Sequence, residues 1–182
     1  MTKIAATFPL SIPGKPQRWK RPEQVTLKGG RTIRYTDPDV RAYTERVAWE
    51  ARRLWGIAPP WTGPVVMSMA AVFAIPESWP AKTKQAAAEG RVMHIADPDI
   101  DQLIKALLDA VRGIVFVDDN QLCGFLAPVS KRYGAPERLD AKFCLLAQGE
   151  GEITPGQKRL EAKQTQLRLG LGGAPRRRTR KA

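Results

Sequence analysis

Residues 97–119 read DPDIDQLIKALLDAVRGIVFVDD. Within them Ile100, Leu103, Ile104, Leu107, Leu108 and Val111 recur in steps of three, one, three, one and three. That spacing places all six on one stripe of an α-helix. It predicts a helix over 101–112, ended by Gly113. A stripe this apolar is stable only against a second apolar layer. The chain therefore has to supply a sheet or further helices to cover it.

The rest of the sequence supplies both. Ile4 to Ile12 is strand-like and stops at Pro13-Gly14. KPQRWKRP (15–22) has the composition of a basic loop. VTLKGGRTIRY (25–35) carries two β-rich arms around Lys28-Gly29-Gly30 and predicts a hairpin. Asp37 is placed to cap a helix that begins at Pro38. Val40, Tyr43, Val47, Ala51 and Leu54 form its apolar face, and Gly56 stops it. PVVMSMAAVFAI (64–75) reads as a strand. SWPAKTKQAAAEG (78–90) reads as a short helix with Ser78 as cap. After the central helix, GIVFVDD reads as a brief strand or turn leading into QLCGFLAPVSKRY (121–133), and 139–146 is a last strand. The order predicts an α+β domain, with helices packed on one side of a mixed β-sheet.

Charge narrows the class of partner. The chain has 30 Lys+Arg against 18 Asp+Glu, a formal net charge of +12 and a pI of about 10.2. Such a balance favours a polyanion, nucleic acid first and a charged membrane surface second. No run approaches the roughly 18–20 apolar residues of a membrane span. The N-terminal residues lack the pattern of a secretory signal, so the expected location is intracellular and cytoplasmic. Cys123 and Cys144 fit no metal spacing and read as one buried thiol in each of two strands. Residues 150–182 hold nine Lys/Arg, three Glu and no aromatic residue. A domain over 1–147 and a basic, disordered tail over 148–182 are expected, with 157–169 able to form a helix on a partner. Arg176, Arg177 and Arg178 in that tail suit phosphate contact, and a merely solubilising role is the alternative.

Against this basic background, six aspartates fall within residues 97–119. Asp101–Lys105 at i,i+4 is an ordinary solvated helix pair, worth about 0.2–0.5 kcal/mol. That reading stays open beside a sharper one. Asp99 and Asp101 at a helix entry repel each other unless a cation or proton lies between them. Asp118-Asp119 is a second acidic pair. The helix rises about 18 Å, and an extended GIVFVDD spans roughly 20 Å. If that segment doubles back beside the helix, Asp118 or Asp119 returns to the level of Asp99 and Asp101. Hard oxygen ligands in a basic field suit Mg²⁺ held together with a phosphodiester. Lys105 would then steady charge developing on the phosphate.

The run DPDIDQLIKALLDAVRGIVFVDDNQL resembles the RusA family of Holliday junction resolvases, whose signature is close to K-P-D-x-D-N-L-x-K-x-x-x-D-A-L-N-G-x-x-x-x-D-D-x-Q. IPESWPAKTKQAAAEG and Met93-His94 resemble the segment preceding that signature in phage-type members, and KPQRWKRP resembles their basic loop. The resemblance covers about residues 1–147 and is most specific over 75–122. It implies a homodimer of mixed α/β fold that resolves four-way DNA junctions by paired symmetric nicks, using Mg²⁺ or Mn²⁺. It assigns Asp99, Asp101 and Asp119 as metal-binding catalytic acids, Lys105 as the essential lysine, and Asp118 as a neighbouring acid. A phage or prophage role in recombination fits the family. Two residues depart from the signature: Gln102 stands where Asn is usual, and Asp97 where Lys is common. The expected DNA contacts are Arg18, Lys20 and Arg21 of the basic loop, Lys28, Arg31 and Arg34 of the hairpin, and His94; the alternatives are a merely exposed basic loop and hairpin and a structural histidine. The rival readings are a non-catalytic basic binding protein and a less selective flap or fork nuclease.

Overall fold

A computed structural model describes residues 3–26, 30, 32–147 and 155–170. Eleven elements follow one another: β1 (Ile4–Pro13), β2 (Glu23–Thr26), β3 (Thr32–Tyr35), α1 (Pro38–Trp55), β4 (Val65–Phe73), α2 (Ala81–Ala88), α3 (Ile100–Val111), a 3-10 turn (Asp119–Gln121), β5 (Leu122–Tyr133), β6 (Arg138–Leu146) and α4 (Pro155–Arg168). Four strands form one mixed sheet in the order β1-β6-β4-β5. β6 is antiparallel to both β1 and β4, and β4 and β5 run parallel. The β2–β3 hairpin stands apart as a two-stranded sheet.

Alternation along the strands makes the sheet two-faced. Phe8, Leu10 and Ile12 of β1 are buried while their neighbours are exposed. Leu139, Ala141, Phe143 and Leu145 of β6 and Val65, Met67, Met69, Ala71 and Phe73 of β4 join them in one core. α1 and α3 cover this face. Tyr43, Val47 and Ala51 come from α1, and Leu103, Leu107, Leu108 and Val111 from α3. Ile100 and Ile104 pack at the margin of the same core. The predicted stripe of the central helix is thus the side that meets the sheet.

Local signals set most boundaries. The Asp37 carboxylate accepts from the backbone N–H of Asp39 and Val40 and starts α1, with Pro38 in its first turn. Gly56 (φ +71°) ends it. Some expectations need correction. Leu54 is exposed, and at the last turn of α1 it is Trp55 that packs on the sheet, edge-on against Phe8. Ser78 does not cap α2, which starts after Pro80 without a side-chain cap. Cys144 is buried as expected, but Cys123 is exposed, since β5 is the sheet's edge.

GIVFVDD is not an extended return strand. The Ile114 and Val115 N–H groups donate back to the Val111 carbonyl, and Gly113 N–H donates to Phe116 at 2.7 Å. Gly113 has φ +76°, which a side-chain-bearing residue rarely adopts. The result is a tight knot at the end of α3. Ile114, Val115, Phe116 and Val117 are all buried in it. Trp61 closes the knot, its N–H donating to Val115 and its carbonyl accepting from Val117.

The C-terminal segment also departs from expectation. Pro155–Arg168 is helical, and the surface it meets is the chain's own. Leu160 and Gln164 are half-buried, Gln164 Nε2 donates to the Pro60 carbonyl, and Lys163 pairs with Asp118. Leu160, Lys163, Gln164 and Leu167 share one helical face, which explains how a polar segment docks. Lys28, Arg31, Arg176, Arg177 and Arg178 lie outside the described residues. Arg34 is on β3 opposite Gln24, and its side chain is likewise outside them. No helix among the described residues is long and apolar enough to cross a membrane.

Candidate active site

α3 presents its first turn to solvent. Asp99 is the cap residue by its backbone, its carbonyl accepting from Leu103 N–H at 3.2 Å. Its carboxylate makes no capping bond and is left free for other partners. Asp101 follows in the first turn, and both acids are exposed. The loop before them is tied to the far end of β5. Lys131 Nζ donates to the carbonyls of Ala96 (2.7 Å) and Pro98 (2.8 Å). Lys131 was not singled out in the sequence, where it reads as one more strand lysine.

The basic loop 15–22 lies against this helix start. Trp19 N–H donates to the Gln102 carbonyl at 3.1 Å, and Lys105 Nζ sits 4.7 Å from the centre of the Trp19 ring. Lys105 therefore stands one turn above Asp101 with its ammonium over an aromatic face. Arg18 Nη1 contacts both oxygens of Asp97, at 2.8 and 3.0 Å. Asp97, one of the two residues that depart from the signature, thus has its charge answered by the loop it faces. Lys20 pairs with Asp37 at 2.6 Å. Arg18, Trp19, Arg21, Tyr35 and Gln102 line one open cleft of about 410 Å³. The expected loop contacts are grouped here, with Arg18 and Lys20 partly neutralised.

His94 is not a surface contact. It is buried, stacked on Phe73 with ring centres 4.1 Å apart and close to Tyr133. Burial, helped by nearby Lys131, holds its pKa below the ordinary value. The loop carrying it bridges to β5 through Met93 and Arg132, and that turns the ring inward.

Asp118 and Asp119 are held elsewhere. Asp118 caps the 3-10 turn, accepting from Asn120 N–H at 3.3 Å. The two carboxyl groups are close enough to shift each other's ionisation. Sharing with Asp118, with burial behind it, pushes Asp119 above the usual carboxylate range. Burial also raises Asp118, but Lys163, Asp119 and the Asn120 N–H together outweigh it and leave Asp118 lowered. The pair therefore retains a proton more readily than either acid alone. Buried Gln121 sets the pose of this turn. Its Oε1 accepts from Val117 and Asp118 N–H, and its Nε2 donates to the carbonyls of Trp61 and Gly63, each at 2.8 Å.

A family model described as endodeoxyribonuclease RusA matches residues 13–140. The chain belongs to this family. No curated protein matches it. The RusA match spans β1's end, the hairpin, α1, β4, α2, α3, β5 and the start of β6, and leaves α4 outside. It includes every acid and lysine discussed above except Lys163.

The family's expected metal can be tested against the donors present. Asp99 and Asp101 are hard oxygen donors open to solvent, as a divalent cation needs. They stand at the Lys131 end of β5, while Asp118 and Asp119 stand just before its first residue, Leu122. The knot at 113–117 keeps the second pair at the far end of α3. Among the described residues, no three His, Cys, Asp or Glu side chains are grouped to hold one ion. Among the described residues, a three-carboxylate site is therefore not complete within one chain.

Proposed function

We propose that this RusA-family protein is a Mg²⁺-dependent endodeoxyribonuclease that resolves four-way DNA junctions, with Mn²⁺ as a substitute ion. One observation carries the reading: an exposed Asp99–Asp101 pair at a helix start, clamped beside a basic, Trp-bearing loop, within a family-matched segment. Asp99 and Asp101 of one protomer and Asp119 of the other protomer of the homodimer that the family implies are the proposed acids, and Lys105 is the lysine that meets the scissile phosphate. Asp118 helps to place Asp119. Arg18, Lys20, Arg21 and Trp19 grip the backbone, so affinity falls steeply as salt rises. Trp19 also offers a stacking face for an unpaired base.

The test is cleavage of a labelled four-way junction, a matched duplex and a flap, each with and without Mg²⁺. Wild type is expected to nick the junction in the presence of the ion. Asp101→Asn is expected to abolish nicking while junction binding survives. Equal rates on all three substrates refute junction selectivity. An Asp101→Asn protein with undiminished nicking refutes the assignment of the site.

A further inference from the structure

α4 lies outside the residues matched by the family model, yet it docks against the acidic turn at 118–121. Its contacts gather on three neighbouring points. Gln164 Nε2 donates to the Pro60 carbonyl, one residue before the Trp61 that closes the knot. Leu167 faces Gly113, where an added Cβ would meet Leu167 Cδ1 at 3.9 Å. Lys163 Nζ donates to Asp118 Oδ2. Positions 163, 164 and 167 share one face of the helix. Gln164 and Leu167 therefore fix the stretch of backbone that delivers the Lys163 ammonium.

We infer that Lys163 is a positioning residue for the RusA reaction, and that α4 is an added brace for the turn that carries Asp119. The inference rests on the nuclease reading above and adds to it a residue that lies beyond the family-matched segment.

The bonding of Asp118 carries the argument. Its Oδ1 accepts from the Asn120 N–H and its Oδ2 from Lys163, so both oxygens are engaged. Its side chain is 17% exposed, which shields the ion pair from water on the acid's side. A free surface lysine gives up much side-chain entropy to hold such a pair. Here the helix is already docked on either side of the contact, so less is given up. Gln121 ties the turn to the chain from inside, through backbone groups. Lys163 ties it from outside, through the Asp118 carboxylate. Two neighbouring carboxylates push each other away when both are charged. An ammonium seated on Asp118 offsets that push, and Asp119 is the acid of the turn left to serve the reaction. A lysine held in this way is not a phosphate contact, which separates its role from that of Arg18 and Arg21.

The test compares wild type with Lys163→Ala, Lys163→Arg, Asp118→Asn and the Lys163→Ala/Asp118→Asn double variant. Single-turnover nicking of a four-way junction is measured at saturating junction and Mg²⁺, and junction binding is measured beside it. Lys163→Ala is expected to slow nicking about tenfold while the junction Kd and its salt dependence stay as in wild type. Lys163→Arg can still donate to Oδ2 and should restore most of the rate. The double variant should be no slower than Asp118→Asn, because Lys163 acts through that carboxylate. Lys158→Ala removes the same charge from an exposed position on the same helix and should leave the rate unchanged. An unchanged or faster Lys163→Ala protein overturns the inference, as does a further loss in the double variant. Weaker binding with a smaller salt slope also overturns it, since Lys163 would then be a phosphate contact. Amide hydrogen exchange supplies a readout without cleavage. The Asn120 and Gln121 N–H groups should exchange faster in Lys163→Ala and return toward the wild-type rate in Lys163→Arg; unaltered exchange refutes the brace. A wild-type protein that never nicks sinks the nuclease reading, while exchange at the turn still decides whether Lys163 holds it.

Discussion

Replacing Gln121 by Leu removes the amide that fixes the Asp118–Asp119 turn. Four backbone groups lose a partner in the wild-type geometry. Two of them keep each other, because Val117 N–H also donates to the Trp61 carbonyl at 3.2 Å. The Gly63 carbonyl, which is buried, and the Asp118 N–H, which is half-exposed, are left alone. A buried polar group without a partner costs about 1–3 kcal/mol, and a half-exposed one less. The expected loss is therefore about 2–4 kcal/mol, a fall in Tm of roughly 5–15 °C for a chain of this size. Urea and thermal unfolding measure it. Because the acids of this turn lose their pose, nicking should fall further than junction binding. A loss below about 1 kcal/mol, with nicking intact, would falsify the view that Gln121 is the pivot.

Other outcomes follow from the same geometry. His94 has a lowered pKa, so the unfolded chain takes up a proton before the folded one does. Stability should decline as pH falls below about 6.5; His94→Phe should flatten that decline, as read from Tm against pH. Asp119 has a raised pKa, so wild type loses stability as pH climbs through and above the usual carboxylate range, and Asp119→Asn should remove that loss. The gain is under about 1 kcal/mol because the pair is partly solvated. The lowered Asp118 acts oppositely, its contribution disappearing as pH falls, so Asp118→Asn should weaken the fold at neutral pH. Asp97→Asn should cost the fold under about 1 kcal/mol yet tighten junction binding, since it removes a negative charge and frees Arg18; weaker binding at every salt concentration would contradict this.

Much of the fold was legible in the residues themselves. The 3,1,3,1,3 spacing of α3 identified its buried side, because a helix of 3.6 residues per turn leaves those positions one common face. Asp37-Pro38 and Gly56 marked α1 through backbone chemistry that needs no tertiary partner. The β-rich runs gave each strand of the main sheet. The acids and Lys105 were legible as residues, from their types and their spacing. Lys131 and Gln121 were not legible as positioning groups, because their partners are carbonyls and N–H groups distant in the chain. His94 stayed open between a DNA contact and a structural role, because nothing local shows that Phe73 and Tyr133 flank it. A helix near Pro155–Arg168 was legible only as one formed on a partner, because low apolar content hides the narrow face that docks on the chain itself.

The sequence by itself determined the elements, the sides they bury and the basic character of the surface. These depend on residue period and local caps. Tertiary structure decided where the acids go. Ile114 to Val117 read equally well as a strand or as a turn, since either one buries four apolar side chains. Closing them under Trp61 made the turn, and that choice left Asp118 and Asp119 at the opposite end of α3 from Asp99 and Asp101.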